Sequence, residues 1–316
     1  MPFKVRWVIP AAVVILVCAI GIADPLRDSK PASLAYRLTP GQPLSYRLVA
    51  NIKAHMPFLD SPKPIDLVGT LTVVYLASPR TLLADGTSDV ELTVDSVELM
   101  LGSGKDRFEF PIPFEDVQKM LNQTVTITRL GEIKKVAGGG PPPFSISIPG
   151  IDPTRLYAML FPVVFRPGPV KAGDRWTFKN DFLGGASAKP SFAVTVLPSG
   201  IDDPVASARL EEKFSLPVDM KLDKDKKPIT DGAAPHCTRK GVIGGSGRLL
   251  FDNAGGCFRK SAFQIRADVT EKLVGPPTTP DEPKEIVTAV KVDVSVDLMP
   301  VAHMSEKPAV DKKDKP

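Results

Sequence analysis

The sequence predicts a mainly β fold made of two similar antiparallel β units with short helices, preceded by an N-terminal signal or anchor helix. Several segments alternate apolar and polar residues with a period of two, which indicates strands with one buried face. Proline makes up 33 of the 316 residues and interrupts helices and central strands, because it lacks an N–H and fixes φ. We therefore expect short elements and many turns.

The first 23 residues have the pattern of an export segment. Lys4 and Arg6 precede an uncharged apolar run over residues 7–23, as in a secretory signal. Small residues before Asp24 favour cleavage there. The run is also just long enough for an uncleaved anchor. Either way the basic residues stay on the cytoplasmic side, so we expect the remainder to be extracytoplasmic: periplasmic, secreted, or held at the membrane by residues 7–23.

Turns and changes in composition divide the chain into six stretches. We predict a signal peptide or anchor at 1–23, a flexible lead-in at 24–34, a first β unit at 35–140, a Pro-rich linker with a short helix at 141–169, a second β unit at 170–300 and a disordered tail at 301–316.

Alternation also predicts local detail within the first unit. Val90, Leu92 and Val94 share one parity, but Val97 and Leu99 continue on the other. A slip of one residue within a strand is what a β-bulge produces. We therefore expect a bulge near Asp95-Ser96.

Two short helices are expected. In residues 114–122, Val117, Met120 and Leu121 fall on one helical face. Asp152-Pro153 resembles a helix start, with aspartate as N-cap and proline at the first helical position. Its buried face would contain Leu156, Met159 and Leu160.

The second unit ends in the clearest strands of the chain. Phe263 to Val269 and Val290 to Leu298 alternate strictly between apolar and polar residues, as in antiparallel strands with one wet face. A hairpin is expected around residues 252–256. The stretch from Asp219 to Thr238 is predicted to be a polar loop.

The two units can be aligned on each other. Both contain a glycine turn, an aromatic-bearing strand and a later hairpin closed by glycine, an arrangement typical of duplication. The matched positions are Gly41, Leu44 and Tyr46 with Gly173, Trp176 and Phe178, then Ile127 and Gly131 with Phe251 and Gly255.

Three segments carry a resemblance to a known family. They are Pro40 to Tyr46, Leu130 to Ile133, and Val170 to Trp176. Over roughly residues 35–298, the pattern resembles a family of exported bacterial proteins whose shared domain is classified as a domain of unknown function. That family implies no activity, so no functional residue is carried over. In architecture the chain is also similar to periplasmic carriers that wrap a curved antiparallel sheet around lipid.

The charge balance argues against nucleic acid as a partner. The net charge is +4, and without Lys4 and Arg6 only 38 basic residues face 36 acidic ones. Nucleic-acid binding needs a concentrated basic surface. The densest basic run, Lys221 to Lys227, is interleaved with Asp223 and Asp225 and indicates a solvated loop.

Two cysteines remain after the export segment. An even number of cysteines in an oxidising compartment favours a disulfide, so we expect Cys237 and Cys257 to be bonded. Two free thiols are one alternative. A metal site with His236 is another, although no fourth ligand has the usual spacing.

Motifs that suggest chemistry are incomplete. Gly102 to Lys105 lacks the first glycine and the hydroxyl residue of a phosphate-binding loop. Gly244 to Gly247 lacks the spacing of a nucleophile elbow. Asp219, Asp223 and Asp225 lack the glycine of a calcium loop. We therefore predict no catalytic, cofactor-binding or metal-binding residues and no cofactor.

The function expected from these observations is binding rather than catalysis. The leading interpretation is a non-enzymatic exported protein that binds a partner or belongs to the cell envelope. One alternative is a carrier of an apolar ligand or lipid in a cleft of a curved sheet. Another is an envelope hydrolase that uses acidic residues. The sequence does not identify the ligand or partner.

Overall fold

The structure is a computed structural model. It describes residues 31–57, 64–103, 106–109, 113–140, 153–180, 190–198, 207–223, 229, 236–274 and 285–301. The predicted export segment, the lead-in up to residue 30, the N-cap Asp152 and the tail from residue 302 lie outside these ranges.

The described chain is dominated by strands. They are β1 (Ala32–Ser33), β2 (Leu44–Pro57), β3 (Pro64–Leu82), β4 (Ser88–Ser103), β5 (Asp106–Glu109), β6 (Gln123–Ile127), β7 (Ile133–Gly138), β8 (Pro169–Val170), β9 (Arg175–Lys179), β10 (Ser191–Leu197), β11 (Ser207–Leu222), β12 (Cys237–Asp252), β13 (Cys257–Val274) and β14 (Glu285–Val301). The helices are α1 (Phe114–Leu121) and α2 (Tyr157–Leu160), with a 3-10 turn at Pro153–Arg155 before α2.

Twelve of these strands form one antiparallel sheet. Its order is β7-β6-β4-β3-β2-β14-β13-β12-β11-β10-β9, and β5 pairs with β4. β1 and β8 form a separate short pair. The mainly β fold class is therefore confirmed.

The two expected units are joined in this sheet through β2 and β14. The pairing runs from Lys291 opposite His55 to Val301 opposite Ser45. From β2 to β7, and again from β9 to β14, successive strands step across the sheet in the same direction. A continuous antiparallel meander has this order with or without an ancestral repeat, so the duplication stays a prediction.

The strands are much longer than the proline content led us to expect. β3 has 19 residues, β13 has 18 and β14 has 17. Prolines inside this sheet lie near strand ends, at irregular pairing or on an unpaired edge. Pro79 adjoins a register shift in the β3–β4 pair. Pro217 pairs with Val242 of β12 on one side only, because the β10–β11 pairing ends at Phe214. The predicted polar loop from Asp219 to Thr238 was too long, because β11 continues to Leu222 and β12 begins at Cys237.

The predicted bulge is confirmed at Asp95. Val74 of β3 lies opposite Ser96, and the next residue, Tyr75, lies opposite Val94. Asp95 is thus the extra residue, and the bulge restores the inward direction of apolar side chains on both sides of it.

Both short helices are confirmed. α1 buries Val117, Met120 and Leu121, the three residues on its apolar face. The segment after Pro153 starts as a 3-10 turn and continues as α2, with Met159 and Leu160 buried. α1 packs against β4.

The expected disulfide is not formed. Cys237 and Cys257 form no disulfide with each other. Cys237 opens β12, whereas Cys257 opens β13 beyond the far end of β12. The length of β12 separates them by roughly 50 Å at the standard rise per residue, whereas a disulfide requires Cα atoms within about 7 Å.

One end of the sheet is drawn together by the segment before β2. Tyr36 N–H donates to the carbonyl of Arg129 in the β6–β7 turn, and Arg37 N–H donates to that of Gly256 in the β12–β13 turn. Four strands separate these hairpins, which would place them roughly 24 Å apart in a flat sheet. Since consecutive residues bond to both turns, the sheet must curve strongly here.

An aromatic cluster fills this curved end, which we call the aromatic end. The ring of Tyr36 lies 5.2 Å from Phe165, 5.6 Å from Phe161 and 5.7 Å from Phe251 between centroids. Its hydroxyl donates to the carbonyl of Val163 over 3.0 Å. Such edge-on and tilted contacts stabilise a cluster beyond its area burial.

Candidate functional site

The strand register defines an apolar inner face. Residues directly opposite each other in antiparallel strands point to the same side. One row without a charged residue crosses nine strands: Phe178, Phe192, Phe214, Gly245, Ile265, Val294, Ile52, Gly69 and Leu101.

Two further uncharged rows lie on the side away from the aromatic end. The first contains Leu216, Ile243, Ala267, Val292, Ala54 and Leu67. The second contains Val218, Gly241, Val269 and Val290. The expected alternation in β13 and β14 is confirmed, since Ile265, Ala267, Val269 and Val290 to Leu298 are buried on alternate positions.

Glycines in β12 make room for aromatic rings on this face. A Cβ atom at Gly245 would lie 2.6 Å from the ring of Phe214. At Gly247 it would overlap the ring of Phe263. The Gly244 to Gly247 segment is therefore part of an extended strand, with no nucleophile elbow.

Glu212 places a carboxyl group among these apolar residues. The residue is 1% exposed, and its Oε2 atom has no hydrogen-bond partner in the described part of the chain. Burial raises the pKa of Glu212 well above its usual value. The side chain borders a cavity of about 10 Å³ that is also lined by Met159 of α2, Phe214 and Phe263.

A buried ion pair lies at the opposite end of the inner face. Nη2 of Arg239 donates to Oε1 of Glu271 over 2.7 Å, and both residues are at least nine-tenths buried. Glu271 lies directly opposite Thr288 in β14, which is also buried. We call this the ion-pair end.

The outer face carries a groove of about 850 Å³ along β11, β12, β13, β14 and β2. Its lining includes Lys53, Ser246 and Asp268. Arg266 Nε donates to Asp293 in this groove over 2.7 Å, and both side chains are exposed.

The histidines and acidic residues noted in the sequence are spread over the fold. His55 contacts Asp66 at an exposed position over 2.8 Å, and Asp219 contacts Lys240. Within the described ranges no three metal-binding side chains cluster. His303, Asp225 and Gly104-Lys105 lie outside those ranges.

No described helix combines the length and apolar character needed to cross a membrane.

Comparison with known proteins identifies no family. No family model matches the chain, so the resemblance to a family of exported proteins is not confirmed, and no curated protein matches. Among solved structures, one on lipid–protein interactions in lipovitellin aligns at 10% identity with a TM-score of 0.44, covering 84% of this chain. This chain spans 26% of that one.

Other solved structures align over similar lengths with lower scores. The outer membrane protein OprG from Pseudomonas aeruginosa aligns at 10% identity and a TM-score of 0.19, covering 81% of this chain and 93% of its own. DynF from the dynemicin pathway of Micromonospora chersina aligns at 8% and 0.18, covering 83% and 84%. Similarities this low do not establish a shared fold.

Sequence reasoning did not single out the buried charged residues, although alternation carried a signal for each. Glu212 falls on the parity of Leu210 and Phe214. Glu271 lies two residues after Val269 and therefore points to the same apolar face of β13. Arg239 lies four residues before Ile243 and points to the same face of β12. A charged residue that occupies one of the alternate, otherwise apolar positions of a long strand is therefore the sequence signal for a buried charge.

Proposed function

We propose that this chain is an extracytoplasmic, non-enzymatic binding protein that takes up an apolar molecule against the inner face of its sheet. The observation that supports the proposal is the row of uncharged residues from Phe178 to Leu101 across nine strands. Two more uncharged rows extend this face toward the ion-pair end.

The composition of these rows suits an aliphatic ligand. The middle strands contribute valine, isoleucine and alanine, such as Val292, Val294 and Ala267. These side chains are already shielded from water, so the gain comes from the ligand: transfer of its own apolar surface out of water stabilises by about 25 cal/mol per Å² and requires no hydrogen bond. A ligand held in this way is selected mainly by its apolar character.

The two ends of the face differ, which gives the proposed site a direction. At the aromatic end, Tyr36 and Phe165 fill the space between the two hairpins. At the other end the row of Arg239 and Glu271 introduces polar groups. We infer that a ligand lies with its most apolar part toward the aromatic cluster.

The lack of a disulfide between Cys237 and Cys257 is compatible with an oxidising compartment. Burial raises the pKa of the Cys257 thiol, and the nearby Asp252 raises it further. A protonated thiol reacts slowly with oxidants and disulfides. The separation of Cys257 from Cys237 along β12 prevents intramolecular pairing in this fold.

The proposal is tested by filling the inner face. Ala267→Phe adds a ring to the middle of the uncharged rows, and Asp268→Phe adds the same ring to the outer face of the same strand as a matched control. We expect Ala267→Phe to weaken binding of the lipophilic dye diphenylhexatriene at least tenfold and Asp268→Phe to leave it unchanged. Thermal melts check that both variants fold.

Native mass spectrometry of protein from its own host provides the second readout. A bound lipid or other apolar molecule is expected. Repeated recovery of ligand-free protein, together with no saturable dye binding by the unmodified chain, would contradict the proposal.

A further inference from the structure

The ion-pair end combines polar donors with the end of a long apolar surface. Arg239 and Glu271 sit one pleat beyond Gly241 and Val269, the nearest uncharged row. Met220 lies opposite Arg239 on one side, and Thr288 lies opposite Glu271 on the other. A molecule lying along the apolar rows would therefore bring its end to this pair.

The guanidinium of Arg239 has an unused donor. Its Nη2 group bonds to Glu271, but no described residue accepts from Nε, which is fully buried. The residue as a whole is only 9% exposed. A buried donor without an acceptor costs free energy comparable to a lost hydrogen bond, so an acceptor supplied by a ligand at this position would be stabilising.

Stability alone does not account for the pair. A buried ion pair is often no more stabilising than apolar residues of the same volume, because both charges lose their hydration. Here the pair lies on the face where the neighbouring strands place valine and isoleucine. A binding role explains why charged residues lie at this end of the face.

The charge of the pair limits the kind of acceptor. Glu271 already neutralises Arg239, and the Cys237 Sγ lies 3.7 Å from the same carboxylate oxygen. A second carboxylate brought to Nε would face Glu271 at close range and be repelled. A neutral carbonyl oxygen accepts the hydrogen bond without adding charge.

We propose that Arg239 Nε donates a hydrogen bond to the carbonyl oxygen of a neutral acyl ester whose alkyl chain lies on the inner face. This inference rests on the proposed function and specifies its ligand class. Glu271 is the residue that sets the preference for an ester over a free fatty acid.

Three compounds of similar chain length separate these possibilities. Hexadecane has no head group, methyl palmitate has a neutral ester and palmitate has a carboxylate. In competition with diphenylhexatriene, we expect methyl palmitate to displace the dye at about fivefold lower concentration than hexadecane, the gain from one net hydrogen bond. Palmitate is expected to be weaker than methyl palmitate.

Variants test which residues create the preference. Replacing both members, Arg239→Met with Glu271→Met, removes the pair without leaving one charge buried alone. We expect this variant to fold, to retain hexadecane binding and to lose the ester preference. Glu271→Gln leaves Arg239 unneutralised, so palmitate is expected to overtake methyl palmitate.

The matched control is the exposed pair on the outer face. Arg266→Met with Asp293→Met removes the same chemistry from the same sheet and should leave all three affinities unchanged. Equal displacement by methyl palmitate and hexadecane in the unmodified chain, or an ester preference that survives in the inner double variant, overturns the inference while leaving the apolar site intact. If the dye itself does not bind, the proposed function fails first.

Discussion

Glu212 lies directly opposite Gly247 in the β11–β12 pair, and the ring of Phe263 occupies the space that a side chain at position 247 would fill. The carboxyl group is thereby enclosed between the sheet and α2. Since burial raises its pKa, the folded protein binds a proton at Glu212 more tightly than the unfolded chain does.

This difference predicts a pH dependence of stability. Tighter proton binding at Glu212 in the folded state contributes to the free energy of unfolding. This contribution is fully present below the pKa of glutamate in the unfolded chain, about 4.3. It is lost as the pH rises through the higher pKa of the folded protein. We expect Glu212→Gln to stabilise the protein by about 1–3 kcal/mol at neutral pH and by less near pH 4. Urea unfolding of both proteins across this range measures the difference.

Glu211→Gln is the control for Glu212→Gln, because position 211 points to the outer face and the substitution removes the same charge. Its effect should not grow with pH in the same way. A stability difference between Glu212→Gln and the unmodified protein that stays constant from pH 4 to pH 8 would show that the carboxyl is not held neutral by the fold.

Two adjacent glycines test the packing of the inner face. Gly245→Ala places a methyl group 2.6 Å from the ring of Phe214 and from the carbonyl oxygen of Gln264. We expect a loss of about 1–3 kcal/mol in unfolding free energy, as for an overpacked core. Gly244→Ala, on the outer face, meets only the Phe214 carbonyl oxygen at 3.4 Å and should change stability by less than about 1 kcal/mol. Similar losses at both positions would contradict the assigned faces.

The alternation of apolar and polar residues in the sequence was sufficient to predict which side chains of individual strands are buried. It identified the buried parity of β13 and β14 and the bulge at Asp95, because side-chain direction in a strand depends only on neighbouring residues. Helix periodicity likewise identified the buried face of α1. These features follow from short-range geometry.

Strand length and sheet curvature depended on contacts that the sequence does not display. The β12 segment from Gly244 to Gly247 has no apolar side chain whose alternation could indicate a strand, yet it is extended, with the rings of Phe214 and Phe263 packed over it. The bonds from Tyr36 and Arg37 to two distant turns join segments 93 to 219 residues apart. Glu212 is likewise buried by residues that are distant in the sequence, such as Met159 of α2 and Phe263 of β13.

Tyr36 is expected to hold the aromatic end closed. Tyr36→Phe removes the hydrogen bond to Val163 and leaves a buried carbonyl without its donor, which should cost about 1–3 kcal/mol. Tyr36→Ala also removes the ring from between Phe161, Phe165 and Phe251, and should cost about 3–5 kcal/mol. Chemical unfolding measures both. Equal, small losses would show that the cluster does not stabilise the fold.

The export segment gives a prediction that mass spectrometry checks directly. Protein recovered from the native host is expected to be extracytoplasmic and to begin at Asp24 if the segment is cleaved, or to retain residues 1–23 in a membrane fraction if it is an anchor. The intact mass distinguishes the two. Full-length protein recovered from the cytoplasm would contradict both.

The positions of Cys237 and Cys257 predict that the exported protein keeps both thiols. Peptide mapping after unfolding without reductant should find each cysteine alkylated and no peptide that links them. In the folded protein, Cys257 is expected to react slowly with iodoacetamide near pH 8, because burial and Asp252 raise its pKa and only the thiolate is nucleophilic. Cys257→Ser serves as the control that assigns the slow reaction. Recovery of a Cys237–Cys257 cross-link would mean that β12 does not form the long strand on which the inner face depends.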